Sequence, residues 1–216
     1  MQSKAKRAHS LVELMIASAL AGICMLGILA LMKAGNRYLL VTQAKADLQH
    51  DALSLVHKLI LEFSETNDTT FAVGNAACSS CQAEHGHPHP GNGSLHKGVV
   101  FASPRSALTG KVEYDDVGRM LWQKYVCYYE RPVDGLPCVV REACNLPDTP
   151  AFPPSPPSLD DFLTVNYDRR IMARNCTLFE CFQSATNLEV HIRMEMPSGF
   201  GRKYGFEFKT QVFARN

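Results

Sequence analysis

The sequence predicts an α+β protein in which a long N-terminal helix packs against an antiparallel β-sheet. Three observations lead to this prediction. Residues 11–32 form an apolar run, helical spacing of apolar residues continues to about Phe63, and strictly alternating segments appear in the C-terminal half. A helix followed by a run of strands favours segregated α and β layers over a parallel sheet.

The first half of the predicted helix is long and apolar enough to cross a membrane. Residues 11–32 would span roughly 33 Å as a helix, against a hydrocarbon core of about 30 Å. Lys4, Lys6 and Arg7 precede the run and favour a cytoplasmic N-terminus. A secretory signal peptide is the alternative, but its cleavage site follows the apolar stretch, whereas the small residue Ala8 precedes this one.

One carboxylate, Glu13, interrupts the apolar run near its start. Such a charge costs roughly 2.5–3.5 kcal/mol at the middle of a membrane helix, so a plain anchor gains nothing from it. Glu13 either interacts with the dipole at the helix start or has a specific partner in an assembly.

The basic leader, the small residue and the sequence His9-Ser10-Leu11-Val12-Glu13-Leu14 resemble the processing site of type IV prepilins and type II secretion pseudopilins. The resemblance implies that prepilin peptidase removes residues 1–8 by cutting between Ala8 and His9, and that His9 is then N-methylated. It also implies that Glu13 acts in assembly, where the cationic amino terminus of a neighbouring subunit neutralises it. The family usually has Gly in place of Ala8, and Phe or Met in place of His9.

Beyond the apolar run, the chain predicts an amphipathic half-helix that completes a stalk over residues 9–65. Its apolar positions recur at spacings of three and four, at Ala44, Leu48, Ala52, Leu55, Val56, Leu59, Ile60 and Phe63. This combination of an apolar and an amphipathic half resembles the pilin stalk.

Residues 99–216 are predicted to form an antiparallel β ectodomain. Leu188, Val190, Ile192, Met194 and Met196 alternate with polar residues, and Phe206, Phe208 and Val212 do the same after a turn-rich segment. The segment LWQKYVCYYERPVDGLPCVVRE predicts another hairpin, in which a four-residue loop over 131–134 would place Cys127 opposite Cys138. With the N-terminal motif, this order of elements resembles J-type pseudopilins and PilW-type minor pilins.

Seven of the eight cysteines lie outside the apolar run, which contains Cys24. An outward-facing compartment would favour disulfides. The candidate pairs are Cys127 with Cys138, Cys78 with Cys81 and Cys176 with Cys181, which would leave Cys144 over; exchange among these partners stays open.

Residues 66–98 are predicted to be a loop rich in Cys and His. Metal-ligating side chains are crowded there, at Cys78, Cys81, His85, His87 and His89. We favour a disulfide-closed surface loop without metal, because the HGHPHP spacing follows no known finger pattern. A second loop, residues 145–158, contains six of the twelve prolines and predicts an exposed connector or a contact loop.

Charge and motifs exclude several classes of function. The formal charge is +1 and becomes −2 without Lys4, Lys6 and Arg7, which does not fit a nucleic-acid binder. The sequence contains no recognisable catalytic motif or phosphate-binding glycine loop, so we expect neither enzyme activity nor a cofactor.

The function favoured by the resemblance is that of a minor pilin in type IV pilus assembly. We expect a single-pass protein of the bacterial inner membrane with a periplasmic C-terminal domain, later assembled into a filament. Its partners would be prepilin peptidase, other minor and major pilins or pseudopilins, the inner-membrane assembly platform and membrane lipid. A J-type pseudopilin of type II secretion is the first alternative, and a membrane-anchored metal- or redox-sensing protein is the second.

Overall fold

The computed structural model describes residues 11–67, 69–77, 95–157, 159, 168–184, 187–197 and 203–214. These residues form a long helix, α1 (Leu11–Phe63), followed by a series of antiparallel strands. The strands are β1 (Phe71–Ala77), β2 (Leu95–Ser103), β3 (Lys124–Val133), β4 (Leu136–Asn145), β5 (Asp168–Arg174), β6 (Cys176–Ser184), β7 (Asn187–Pro197) and β8 (Lys203–Phe213). The predicted α+β fold is confirmed.

The chain divides into two compact units, Met1–Ala46 and Asp47–Asn216. The described part of the first unit, residues 11–46, is the N-terminal part of α1. Its large apolar side chains, from Leu11 to Leu40, are all more than half exposed.

In the second unit, α1 buries the stripe that its spacing predicts. Leu48, Ala52, Leu55, Val56, Leu59 and Phe63 are all buried, whereas Ile60 is 36% exposed and lies beside the stripe. Glu62 is buried with them, which the apolar pattern did not predict.

The strands form two antiparallel meanders. The first sheet has the order β1-β2-β3-β4-β5 and the second has the order β6-β7-β8. Asn175 links β5 to β6, where the chain passes from the first sheet to the second. Its φ of 60° lies in the left-handed region, which Asn adopts more readily than most residues.

Two apolar clusters lie on opposite faces of the five-stranded sheet. On the front face, side chains such as Phe101, Val126 and Val139 pack with the helix stripe and with the inner face of the second sheet. The back face carries a smaller cluster of Val100, Cys127, Tyr129, Cys138, Val140 and Leu159. Alternation along β3 and β4 supplies both clusters.

The hairpin predicted at the C-terminal end is confirmed. β7 pairs with β8 through the whole length of both strands, with Leu188 opposite Val212 and Met194 opposite Phe206. Leu188, Val190, Ile192 and Met194 are fully buried, as their alternation predicts.

The predicted register of the β3–β4 hairpin is wrong. The turn contains two residues, Asp134 and Gly135, with φ values of 53° and 76°, so Val133 pairs with Leu136. Positive φ at both positions is typical of the type I′ turn, whose twist matches that of the flanking strands. The strands therefore continue through residues 131–133, which the sequence reasoning had placed in the loop.

This register separates the first predicted cysteine pair. Cys127 lies opposite Glu142, and Cys138 lies opposite Arg131. Cys138 is therefore four residues, or roughly 13 Å, along β4 from the partner of Cys127, whereas a disulfide needs Cα atoms within about 7 Å. Both thiols are free in the structure.

The second candidate pair, Cys176 and Cys181, lies on a single strand, β6. Five strand residues span roughly 16 Å, which also exceeds the reach of a disulfide. Both thiols are free and buried. The third candidate pair, Cys78 and Cys81, lies outside the described residues.

Strands occupy part of the predicted Cys/His-rich loop. β1 and the start of β2 fall within residues 66–98 and pair with one another, with Phe71 opposite Phe101.

The proline-rich loop begins at the end of β4 and is held to the sheet by two hydrogen bonds. The backbone amide of Trp122 donates to the Pro150 carbonyl at 3.0 Å, and the Tyr125 hydroxyl donates to the Ser155 carbonyl at 2.8 Å.

Candidate assembly site

Glu13 lies in the first turn of α1 as the structure describes it. Its side chain is exposed, and so are those of the apolar residues around it: Leu11 is 77% exposed and Leu14 is 70% exposed. A carboxylate in the first turn is favoured by the helix dipole, which explains how the helix tolerates it locally. The dipole does not explain why a charge lies in an apolar segment.

The surface that surrounds Glu13 is apolar from Leu11 to Met32. We call this surface, residues 11–32 of α1, the assembly helix. Isolated exposed apolar residues are ordinary, but a continuous apolar surface of this length marks a site that meets lipid or protein. Among the described residues, α1 is the one helix that is long and apolar enough to cross a membrane.

Two predicted site residues, Ala8 and His9, lie outside the described residues. The structure therefore places Glu13 on the assembly helix but does not test the predicted cleavage between Ala8 and His9 or the methylation of His9. These remain predictions.

In the second unit, a buried ion pair joins α1 to the front face of the sheet. Arg141 on β4 donates from Nε and Nη2 to Glu62 on α1, both at 2.9 Å. The Tyr128 hydroxyl donates to Glu62 Oε2 at 2.7 Å, and Lys58 Nζ lies 3.4 Å from Oε1. Both oxygens of Glu62 are thus bonded, which a buried carboxylate requires.

The electrostatics of this group follow from its geometry. Burial alone would raise the pKa of the Glu62 carboxyl, but the hydrogen bonds and charge of Arg141, with smaller contributions from Tyr128 and Lys58, hold that pKa below its ordinary value of 4.5. Burial, followed by the charge of Glu62, raises the pKa of the Tyr128 hydroxyl well above 10.0. Glu62 is therefore ionised and Tyr128 is a neutral donor.

A second buried carboxylate, Glu142, lies on the back face of the sheet. Its Oε1 accepts hydrogen bonds from the Tyr129 hydroxyl and from Arg169 Nε. Its Oε2 has no hydrogen bond within the part of the chain that the structure describes. Cys127 lies opposite it, and burial, followed by the charge of Glu142, raises the pKa of that thiol.

Sequence reasoning missed the Glu62–Arg141 pair, although two signals for it were present. Glu62 interrupts the buried stripe of the helix between Leu59 and Phe63. Arg141 lies on the same face of β4 as the buried Val139, where an apolar residue would be expected. A charge at an inward position of each of two elements indicates a buried pair.

The structure leaves the predicted metal ligands untested. Cys78, Cys81, His85, His87 and His89 all lie outside the described residues. Within the described ranges, no group of three or more His, Cys, Asp or Glu side chains is placed to hold a metal ion.

Comparison with known proteins identifies the N-terminal segment. Residues 3–29 match the prokaryotic N-terminal methylation motif, which begins in the basic leader and includes Glu13. No curated protein and no solved structure matches the chain. The motif is that of prepilins, whose role is structural. With this motif, the long apolar N-terminal helix and the antiparallel β-sheets, the chain is a type IV pilin-like protein.

Proposed function

We propose that this chain is a minor pilin, a structural component of type IV pilus assembly or of the pilus tip. It is inserted in the bacterial inner membrane with its C-terminal domain in the periplasm. Prepilin peptidase trims it before His9, and the assembly platform then transfers it into a filament. The single observation that carries the proposal is the exposed apolar assembly helix with Glu13 in its first turn, in a chain with the methylation motif.

The assembly helix needs an apolar environment on all sides. Side chains such as Leu26 and Leu31, 69% and 74% exposed, are covered by lipid before assembly and by helices of neighbouring subunits afterwards. Because both environments are apolar, transfer from membrane to filament changes little in the burial of these side chains. The specificity of the transfer therefore depends on polar groups.

Glu13 supplies such a group. In an apolar filament core its carboxylate is costly unless a cation pairs with it. The amino terminus that cleavage creates at His9 lies only four residues from Glu13, so each subunit carries both a cation and a carboxylate. The amino terminus of one subunit can therefore pair with Glu13 of its neighbour. The charge then favours docking of one trimmed subunit on another.

The test is incorporation of Glu13→Gln into filaments. Removing one partner of a buried ion pair costs about 3–5 kcal/mol, so we expect filament content to fall more than tenfold while membrane content stays unchanged. Asp47→Asn, which removes an exposed carboxylate from the same helix, is the matched control and should assemble normally. Normal incorporation of the Glu13 variant would refute the assembly role.

Deletion of the gene separates the pilus from the secretion system. The proposal expects loss of surface pili with normal export of secreted proteins. Normal piliation, together with secreted proteins that accumulate inside the cells, would instead assign the chain to type II secretion as a pseudopilin.

A further inference from the structure

A basic cavity lies between the second half of α1 and one end of the front face of the five-stranded sheet. Its volume is about 490 Å³. Five cationic residues and one carboxylate line it, and the other lining residues carry no charge. The charged residues are Lys58, Arg105, Lys124, Arg141, Arg170 and Glu62.

Glu62, the one carboxylate that lines the cavity, already has partners for both of its oxygens. Both oxygens of Glu62 accept hydrogen bonds from Arg141, and they also bind the Tyr128 hydroxyl and Lys58. Arg105 is held separately by Glu65, and its Nη1 donates to the Gly110 carbonyl at 2.6 Å. Glu62 therefore has no lone pair directed at a further cation.

Lys124 differs from Lys58, Arg105 and Arg141, each of which has a carboxylate partner. It is only 9% exposed, and its ammonium has no hydrogen bond or ion pair to any residue that the structure describes. Burial and the like charges of Arg141, Lys58 and Arg105 lower its pKa, and the charge of Glu62 only partly opposes them. A largely desolvated ammonium among other cations is costly unless an anion joins it.

We propose that this cavity binds a small oxyanion, of the phosphate or polycarboxylate class, with Lys124 as the principal cation. Phosphate and carboxylate oxygens accept strong hydrogen bonds from ammonium and guanidinium groups. The cavity is much larger than a single water, whose share of liquid volume is about 30 Å³, so a phosphate ester or a tricarboxylate fits as well as a free ion. Arg170 is exposed and also lines the cavity, so it adds positive charge there.

Binding there has a structural consequence. The cavity is lined by α1, β3, β4, β5 and the loop after β2, so one ligand contacts groups from all of them. A ligand that binds only the folded protein stabilises it by mass action. The anion therefore fastens the second half of α1 to the sheet, independently of the assembly role of Glu13.

The test uses the full chain in detergent, with chloride holding the ionic strength constant. Equilibrium dialysis against labelled phosphate and, separately, labelled citrate measures binding to the wild type, Lys124→Met and Lys209→Met. Lys209 is an exposed lysine on β8, outside the cavity, so its variant removes the same charge without touching the site. Lys124→Met should weaken binding by about tenfold or more, and Lys209→Met should bind normally.

Binding of phosphate alone or of citrate alone assigns the ligand class. If neither binds the wild type more tightly than about 1 mM, or if Lys124→Met binds as the wild type does, the proposal is overturned. Urea unfolding without anion separates loss of the site from loss of the fold. Lys124→Met should then be at least as stable as the wild type, because it removes a desolvated charge, and Lys124→Arg should retain binding.

Discussion

Replacement of Arg141 by methionine tests the energetic role of the buried pair between α1 and the sheet. The side chains of Glu62 and Arg141 are 3% and 8% exposed, so loss of the guanidinium leaves the carboxylate poorly solvated. In Arg141→Met, the Glu62 carboxylate stays buried and keeps only the Tyr128 hydroxyl and Lys58.

The expected cost is large because two charge-assisted hydrogen bonds disappear from a desolvated carboxylate. Breaking one partner of a buried ion pair costs about 3–5 kcal/mol. For a chain of this size, each kcal/mol lowers the melting temperature by about 2–4 °C, so the melting temperature should fall by roughly 6–20 °C. Removing all three groups, as Glu62→Met, Arg141→Met and Tyr128→Phe together, should restore most of the stability, because none of the three polar groups is left behind without its partners.

Urea unfolding of the detergent-solubilised chain measures this change. Trp122 is the only tryptophan and is 2% exposed, so its fluorescence reports unfolding of the second unit. Arg193→Met is the matched control, since Arg193 forms the same type of pair with Glu207 but on an exposed surface.

The control should unfold close to the wild-type midpoint. If Arg141→Met loses no more stability than Arg193→Met, the buried pair does not hold the helix to the sheet and the reasoning is wrong.

Three further predictions follow from the same structure. The pKa of Glu62 is lower in the folded chain than its ordinary value of 4.5, so ionised Glu62 stabilises the fold above pH 4.5 and this stabilisation is lost as the pH falls through the folded pKa. The urea midpoint, measured from about pH 7 to about pH 3, should therefore fall at acid pH in the wild type and change less in Glu62→Gln. Gly98→Ala should lower the free energy of unfolding by about 1–3 kcal/mol, because its Cβ would lie 2.6 Å from the Tyr128 carbonyl oxygen. Cys127 is fully buried with a raised pKa, so it should resist alkylation in the native chain, and peptide mapping should find no link to Cys138.

Each of these has its own control. Wild type and Glu62→Gln with parallel pH profiles would show that Glu62 does not cause the acid sensitivity. Gly35→Ala adds a Cβ with nothing within 4 Å and should not destabilise the chain, so equal effects at both glycines would argue against a steric cause. The partly exposed Cys144 should react where Cys127 does not; rapid labelling of both would contradict the packing of the back face.

The elements that sequence predicts well are those in which one period runs without interruption. The α1 stripe from Leu48 to Phe63 and the alternation from Leu188 to Met194 each have one face that must be buried, and the structure buries both faces. Local periodicity is enough in such cases, because the burial of one face fixes the orientation of the whole element.

The β3–β4 hairpin shows where local pattern is not enough. Strand pairing alone allows several registers, and a match of Cys127 with Cys138 favoured the wrong one. The Asp134-Gly135 dipeptide, typical of a two-residue turn, was the better signal. Turn chemistry decides the register here because its backbone twist must match that of both strands.

The buried pair and the basic cavity could not be derived from local pattern. Glu62 and Arg141 are 79 residues apart, and the cavity gathers residues from one helix, three strands and a loop. Their proximity depends on how the helix crosses the sheet, which no local period determines. A single charge inside each apolar pattern was the only local indication.

The mass of the N-terminal peptide is the decisive test of the proposal that this chain is trimmed and assembled as a pilin. The protein would be isolated from cells with active prepilin peptidase, and its N-terminal peptide would be sequenced by mass spectrometry. We expect a mature chain that begins at His9 and carries a methyl group on its amino nitrogen. A mature chain that still carries residues 1–8 would contradict it.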